Sequence, residues 1–275
     1  LIFSFPSKNL SAQIRPWVSP NNFGLPGLVD LPTARSFPDG ELVFTQQLHK
    51  SLARSGISFQ AIPNIGVSFR YTGHGVGGEE AYGRLNHDRS FDAHLTLWEE
   101  KKYLPGISIG LRDFIGTGWY SSEYIVLTKS FGDLEISTGL GFGRMAGANQ
   151  FSNPLSGLSE RFKSRTTNSV GVGGSISTPN WFQGNTSFFG GLKYKLSENL
   201  SLSTEYNPDL MTVESRYLKF GSHWNYSLEY DLNDFVSLST QKLHGSTFSI
   251  TAKVHANPKN PPFGPGLELA PVPMR

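Results

Sequence analysis

The stretch Trp224-Asn225-Tyr226-Ser227-Leu228-Glu229-Tyr230-Asp231-Leu232 decides the fold. Trp224, Tyr226, Leu228, Tyr230 and Leu232 alternate strictly with Asn225, Ser227, Glu229 and Asp231. In an extended strand successive side chains point to opposite faces, so this segment has one aromatic-aliphatic face and one polar face. Residues 134–142 repeat the pattern: Leu134, Ile136, Leu140 and Phe142 against Glu135, Ser137, Gly139 and Gly141. So do residues 57–69, 91–97, 107–111, 186–196, 200–206, 236–240 and 248–254. Residues 121–129 alternate poorly and read as a strand from their β-branched and aromatic content. Residues 28–35 and 42–48 complete the set, with Pro38-Asp39-Gly40 as the turn between them. The total is about twelve strands.

The connections predict how the strands are arranged. Short ones fall at residues 49–56, 99–102, 130–133, 197–199 and 231–234; long ones fall between them at 72–90, 113–120, 144–185 and 207–221. Short turns at one end, longer loops at the other and an even strand count are the pattern of a transmembrane β-barrel. The reading is therefore an all-β, antiparallel, up-and-down transmembrane barrel with both termini at the short-turn, periplasmic end. No apolar run approaches the ~20 residues of a membrane helix, so a membrane-spanning form must be a closed barrel.

Composition agrees. Charged residues are 17% of the 275, below the roughly 25% of ordinary soluble proteins. The polar face is rich in Ser, Thr, Gly, Asn and Gln, where a soluble barrel or sandwich would carry more charge. Aromatics gather near strand ends (Trp98, Tyr103, Trp119, Phe131, Trp224), as interface girdles do. With no cysteine, disulfides and thiolate metal sites are excluded. A net charge of +2 argues against a nucleic-acid partner. No cofactor motif stands out.

Three domains follow: residues 1–27 as a periplasmic N-terminal segment, 28–256 as the barrel, and 257–275 as a linker holding six of the 17 prolines. In the longest loop Leu155, Leu158 and Phe162 recur at helical spacing, which predicts a short helix acting as a plug, a lid or a turn on the rim.

Catalytic patterns fail on context. Gly106-Ile107-Ser108-Ile109-Gly110 matches G-x-S-x-G, but it sits inside a strand with no helix after it. The glycine runs 73–78 and 171–174 lack the Lys-Ser/Thr of a phosphate loop. Glu205 and Glu229 share the polar face, where lumen carboxylates ordinarily pair with Lys or Arg. Arg161, Lys163 and Arg165 form a small basic cluster that suits acidic sugars or a solvated face. The chain is read as a non-enzyme. Arg112, Asp113 and Glu123 are expected as a rim cluster ordering an outer loop. Together with Lys193 and Glu205 they are the candidate rim or lumen contacts to a glycan.

Particular segments also resemble the YjbH/GfcD family of outer-membrane exopolysaccharide and capsule proteins. They are Asn22-Phe23-Gly24, Gly27-Leu28-Val29-Asp30-Leu31-Pro32-Thr33-Ala34-Arg35, Pro38-Asp39-Gly40, Trp98-Glu99-Glu100 and Tyr103-Leu104-Pro105. The densest is Gly110-Leu111-Arg112-Asp113-Phe114-Ile115-Gly116-Thr117-Gly118, followed by Ser121-Ser122-Glu123-Tyr124, Gly139-Leu140-Gly141-Phe142-Gly143-Arg144, Asn153-Pro154-Leu155 and Trp181-Phe182-Gln183-Gly184. The resemblance implies export or assembly of an extracellular polysaccharide. The implied partners are that polymer, outer-membrane lipid and periplasmic export proteins. A plugged barrel serving as anchor and docking platform, or a membrane-embedded hydrolase, are the alternatives. The family's members are longer, with a periplasmic α/β region and a second barrel, and are commonly lipoproteins anchored through a cysteine that this sequence lacks. The family motif supplies no catalytic residue.

Overall fold

The computed structural model describes residues 18–75, 86–166, 175–176, 180–212, 214 and 219–259. Twelve antiparallel strands form one closed barrel: β1 Leu42–His49, β2 Leu52–Ile62, β3 Ile65–His74, β4 Asn86–Trp98, β5 Gly106–Gly116, β6 Ser122–Phe131, β7 Leu134–Gly143, β8 Thr186–Lys195, β9 Leu200–Tyr206, β10 Trp224–Asp231, β11 Val236–Leu243 and β12 Thr247–Ala256. Each strand pairs with its sequence neighbours. β12 pairs with β1 from Leu42↔Ala256 to His49↔Ser249, which closes the ring. A two-residue strand, Ser175–Ile176, hangs on the end of β5. Closure leaves no open sheet edge in the barrel wall, as lipid requires.

The faces are inverted relative to a soluble protein. Phe44, Ile57, Phe59, Phe91, Leu228 and Ile250 are exposed, while Gln47, Ser58, Arg70, Asp92, His94, Glu205 and Thr251 are buried. On β12 alone Phe248 is 75% exposed and Lys253 1%. Only a solvent less polar than the interior makes this arrangement stable, and that solvent is lipid. Exposed aromatics mark both interfaces: Trp98, Tyr103, Phe131 and Tyr230 at the short-turn end, Trp224 and Tyr226 at the other.

The strand count matches the expectation through two compensating differences. Residues 57–69, expected as one strand, belong to β2 and β3, joined by a tight turn at Pro63 and Asn64. A two-residue turn alone inverts the odd-even phase, since Ile62 pairs with Ile65, but a bulge at Gln60–Ile62 restores it by pairing Gln60 with Gly66. Ile57, Phe59, Val67 and Phe69 therefore all face lipid and the pattern runs on almost unbroken. Pro63 was the available signal. Residues 28–35, expected as the first strand, form no strand and lie inside the barrel. Pro32 removes a ladder donor there. The turn at Lys50 and Ser51 therefore falls at the long-loop end, with connections 75–85, 117–121, 144–185, 207–223 and 244–246; the short ends are 63–64, 99–105, 132–133, 196–199 and 232–235. The chain still enters β1 and leaves β12 at the short-turn end.

The helix expected in the longest loop is two 3-10 turns, Pro154–Gly157 and Glu160–Phe162, with no buried residue in either. Asn153 and Ser159 cap them through bonds to the N–H groups of Leu155 and Arg161, and caps of this kind hold short turns without a packed face. The glycine run 171–174 and most of the proline-rich tail lie outside the described residues.

Candidate functional site in the barrel lumen

Every residue from Ser19 to Ala34 is buried. This segment folds on itself through Asn22 N–H to Val29 O (2.8 Å), Asn21 N–H to Leu25 O (2.9 Å) and Thr33 N–H to Pro26 O (3.0 Å). Gly27 permits the fold, because a Cβ there would stand 2.3 Å from Leu31 O. This segment is bonded to eight of the twelve strands, and Arg35 and Ser36 beside it add β7 and β4, leaving only β1 and β8. A segment encircled in this way fills the lumen. It is the plug, the role that the sequence had offered to the 144–185 loop.

The plug's backbone polar groups need partners, and the wall supplies them. Glu205 on β9 accepts the N–H groups of Val29 (3.0 Å), Asp30 (2.9 Å) and Leu31 (3.0 Å), and the Asn225 amide (2.8 Å). Arg112 on β5 donates to Asp30 O. Ser58 and Ser68 donate to Gly24 O (2.6 Å) and Phe23 O (3.1 Å). Asn22 donates to Gln241 (2.9 Å) and accepts from Thr251 (2.9 Å). Ser19 sits between Glu229 and Lys253 (2.8 Å each).

Apolar contacts fill the remaining space. Leu31 and Ala34 pack with Tyr124, Val126 and Phe189 of the wall. This explains why residues 121–129 alternate poorly: Tyr124 and Val126 point inward because the plug offers them an apolar partner. Glycines make the room. A Cβ at Gly110 would meet the Tyr124 ring at 2.2 Å, and one at Gly191 would meet Leu28 at 2.5 Å.

At the long-loop end Phe23 is ringed by guanidinium groups, with Arg112, Arg54 and Arg70 at 4.1, 4.5 and 4.5 Å from its centroid. Cations favour an aromatic face where water is excluded. Arg70 pairs with Asp92 (2.8 Å). Tyr120 lies edge-on to Phe23 and donates to Glu214 (2.7 Å), which also takes Arg144 (2.5 Å). Burial would raise the Glu214 pKa, but Arg144, the Tyr120 hydroxyl and Arg54 outweigh it and hold the carboxyl at about 2. At the short-turn end Arg35 bonds Glu135 (2.8 Å) and Glu100 (2.6 Å), and Glu100 also accepts Lys129 (2.6 Å).

The five residues singled out from the sequence do not form one site. Arg112 and Glu205 grip the plug on either side of Asp30. Asp113, in a left-handed conformation (φ 48°), accepts the Tyr120 N–H (2.9 Å) and so orders the 117–121 loop. Glu123 takes Arg165 (2.7 and 3.1 Å) and the Phe182 N–H (3.0 Å), tying down the long loop. Lys193 pairs with Glu229 (3.3 Å). Sequence reasoning missed Phe23, Asp30, Arg54, Arg70 and Asn225. Arg54, Arg70 and Asn225 sit on polar faces, where the alternation could have marked them. Ser108 donates to Thr96 (3.1 Å), not to an imidazole. Among the described residues no His/Asp/Glu group has a metal-binding arrangement.

Fold and lumen together define a plugged β-barrel of the outer-membrane type. The family model described as "Exopolysaccharide biosynthesis protein YbjH" matches residues 19–275, plug included, and the chain belongs to that family. It is 30% identical over 258 residues to "Uncharacterized lipoprotein YjbH" of Escherichia coli (strain K12), covering 89% of this chain and 36% of that protein. The chain thus spans about a third of its curated relative. Among solved structures, a KdgM porin in complex with disordered oligogalacturonate aligns with TM-score 0.45 and 10% identity, over 78% of this chain and 98% of that one. The COG4313 outer membrane channel from Pseudomonas putida F1 aligns with TM-score 0.40 and 10% identity, over 82% and 98%.

Proposed function

We propose that this barrel sits in the bacterial outer membrane, termini and short turns in the periplasm, and takes part non-catalytically in export or assembly of an extracellular polysaccharide. The observation that carries the reading is a hydrophilic lumen filled by a segment that enters and leaves at one end. Ser19 lies near the short-turn ends of β10 and β12, and Arg35 near those of β6 and β7. Such a plug can withdraw without threading the barrel. Its interface is largely hydrogen bonds, which water or sugar hydroxyls can replace. The family's description supplies the polymer class. Arg112, Glu205 and Lys193 would then face the glycan, with Asp113 and Glu123 shaping the rim. Periplasmic export proteins and outer-membrane lipid are the other partners.

The second reading is a permanently plugged barrel serving as anchor and docking platform, favoured by the number of strands that hold the plug. A disulfide between Ala34→Cys and Thr128→Cys separates the two, since Ala34 N–H bonds Thr128 Oγ1 at 2.7 Å and the chain has no other cysteine. Export through the lumen predicts that the locked barrel stops polymer secretion and that reductant restores it. Normal secretion by the locked barrel overturns that reading in favour of the platform.

A further inference from the structure

Asp30 is held at three of its groups by four wall residues. Glu205 accepts its N–H (2.9 Å) and Arg112 donates to its C=O. Its carboxylate takes the Asn225 amide (3.2 Å) and lies 3.6 Å from His244 Nε2, with Asn22 of the plug completing the set (2.8 Å). The four wall groups come from β5, β9, β10 and the turn after β11. Arg112 and Glu205 spend themselves on the plug's backbone, whereas other lumen charges pair within the wall, as Arg70 does with Asp92 and Lys193 with Glu229. If the plug left, Arg112 would lose the Asp30 carbonyl and the Phe23 ring, and Glu205 would lose three donors. Buried groups of this kind demand new partners.

We infer that Arg112, Glu205, Asn225 and His244 form a binding rung for a carboxylate-bearing sugar of the uronic acid class, and that Asp30 is its resident internal mimic. This rests on the export reading above. The match is group by group. A sugar carboxylate takes the place of the Asp30 carboxylate at Asn225 and His244. A ring or acyl oxygen accepts from Arg112, and sugar hydroxyls donate to Glu205 where the plug's N–H groups did. A neutral glycan fills the last two positions and leaves the first empty, and an unfilled buried polar position is what discriminates between ligands.

The test is equilibrium binding of oligoglucuronate, against an uncharged cello-oligosaccharide of equal length, to the full chain in detergent. Asp30→Ala vacates the carboxylate position at Asn225 and His244, so that an acidic oligomer has only the plug's backbone to displace from Arg112 and Glu205. This variant should bind the acidic oligomer at least ~10-fold more tightly than the unaltered chain does, and at least ~10-fold more tightly than it binds the neutral oligomer. Adding Asn225→Leu should remove that preference. Asp30→Asn, which keeps the shape, should give an intermediate gain, and heat-modifiable gel mobility confirms that each barrel is folded. A folded Asp30→Ala barrel that binds neither oligomer, or both alike, overturns the assignment. The disulfide-lock result stands or falls separately.

Discussion

Two long stretches without regular strands meet opposite fates in this barrel. Residues 19–34 go inside and bury completely. In the 144–185 loop the first 3-10 turn, Arg144–Ala146, buries Met145 and Ala146 against the barrel, but the next two, Pro154–Gly157 and Glu160–Phe162, carry no buried residue, and Leu158 is 81% exposed. Leucines and phenylalanines occur in both, so apolar content does not decide. The difference lies in backbone accounting. The plug finds partners for its N–H and C=O groups on five strands, β2, β3, β5, β6 and β9. The loop's 3-10 turns at Pro154–Gly157 and Glu160–Phe162 satisfy theirs through their own caps. The loop is clasped at two arginines, by Arg144 to Asp209 (2.6 Å) and Glu214 (2.5 Å), and by Arg165 to Glu123. A lumen accepts the segment whose polar groups it can satisfy.

The sharpest way to break this comparison is Glu205→Leu. Three plug N–H groups lose their acceptor together, at about 1–3 kcal/mol for each donor left buried and unpaired. Their summed effect, about 3 kcal/mol or more, should free the plug. Limited proteolysis should then cut within residues 19–35 while heat-modifiable mobility reports an intact barrel. A plug that remains protected would mean that the wall does not hold it through its backbone.

A paired substitution comes next. Gly27→Ala puts a Cβ 2.3 Å from Leu31 O and 2.5 Å from Asn21 Nδ2, whereas Gly157→Ala in the loop meets nothing within 4 Å. Overpacking of the first kind costs about 1–3 kcal/mol; the second should be neutral. Thermal melts of the two variants side by side check this, and equal midpoints would contradict the tightness of the plug's fold. Smaller again is Arg165→Ala. Glu123 loses a bidentate partner, a charge-assisted bond of about 1.5–3 kcal/mol partly offset by water at the rim. Hydrogen exchange should quicken in the loop near residues 150–166 and stay unchanged in residues 19–34. Faster exchange in both would mean that loop and plug are one cooperative unit.

Most of the wall was legible in the sequence, because period 2 is a local signal repeated along every strand. The plug was not. Leu28, Val29 and Leu31 have strand-like composition, and nothing local distinguishes a segment buried on all sides from a strand buried on one. Pro63 and Asn64 hid for another reason: the bulge at Gln60–Ile62 cancels the phase shift that a two-residue turn imposes on the alternation. The grip on the plug was out of reach, since Glu205 meets Val29, Asp30 and Leu31 across 174 to 176 residues of chain. Arg112 and Glu205 could be marked as lumen polar groups, but nothing in sequence shows that both point at one peptide. Poor alternation in 121–129 was itself informative, because inward Tyr124 and Val126 report an apolar object inside the barrel.

The smallest expected effect concerns the plug's exit at the short-turn end, where the comparison between plug and loop can be sharpened by pH. Glu100 lies in the turn between β4 and β5 and bonds Arg35 of the plug and Lys129 of β6. Its partial burial would raise its pKa, but the Lys129 ammonium, the Ser130 N–H and the Arg35 guanidinium together lower it from 4.5 to about 2. A carboxyl depressed in the folded state stabilises fully above its ordinary value, and that contribution is lost as pH falls through the folded value. The latch should therefore hold from neutral pH down to about 4.5 and weaken progressively towards 2. The group is partly solvated, so the effect is modest, and Arg35 keeps its second partner, Glu135. Pepsin cleavage near Arg35, followed from pH 4.5 to 2, should rise along this range in the unaltered chain. It should start high and stay flatter in Glu100→Gln. The loop's clasp at Glu123 is distant from this turn, so cleavage near Leu158 should be the same in both chains. If Glu100→Gln leaves the acid profile near Arg35 unaltered, the plug's exit is held by Glu135 and Ser130 without Glu100.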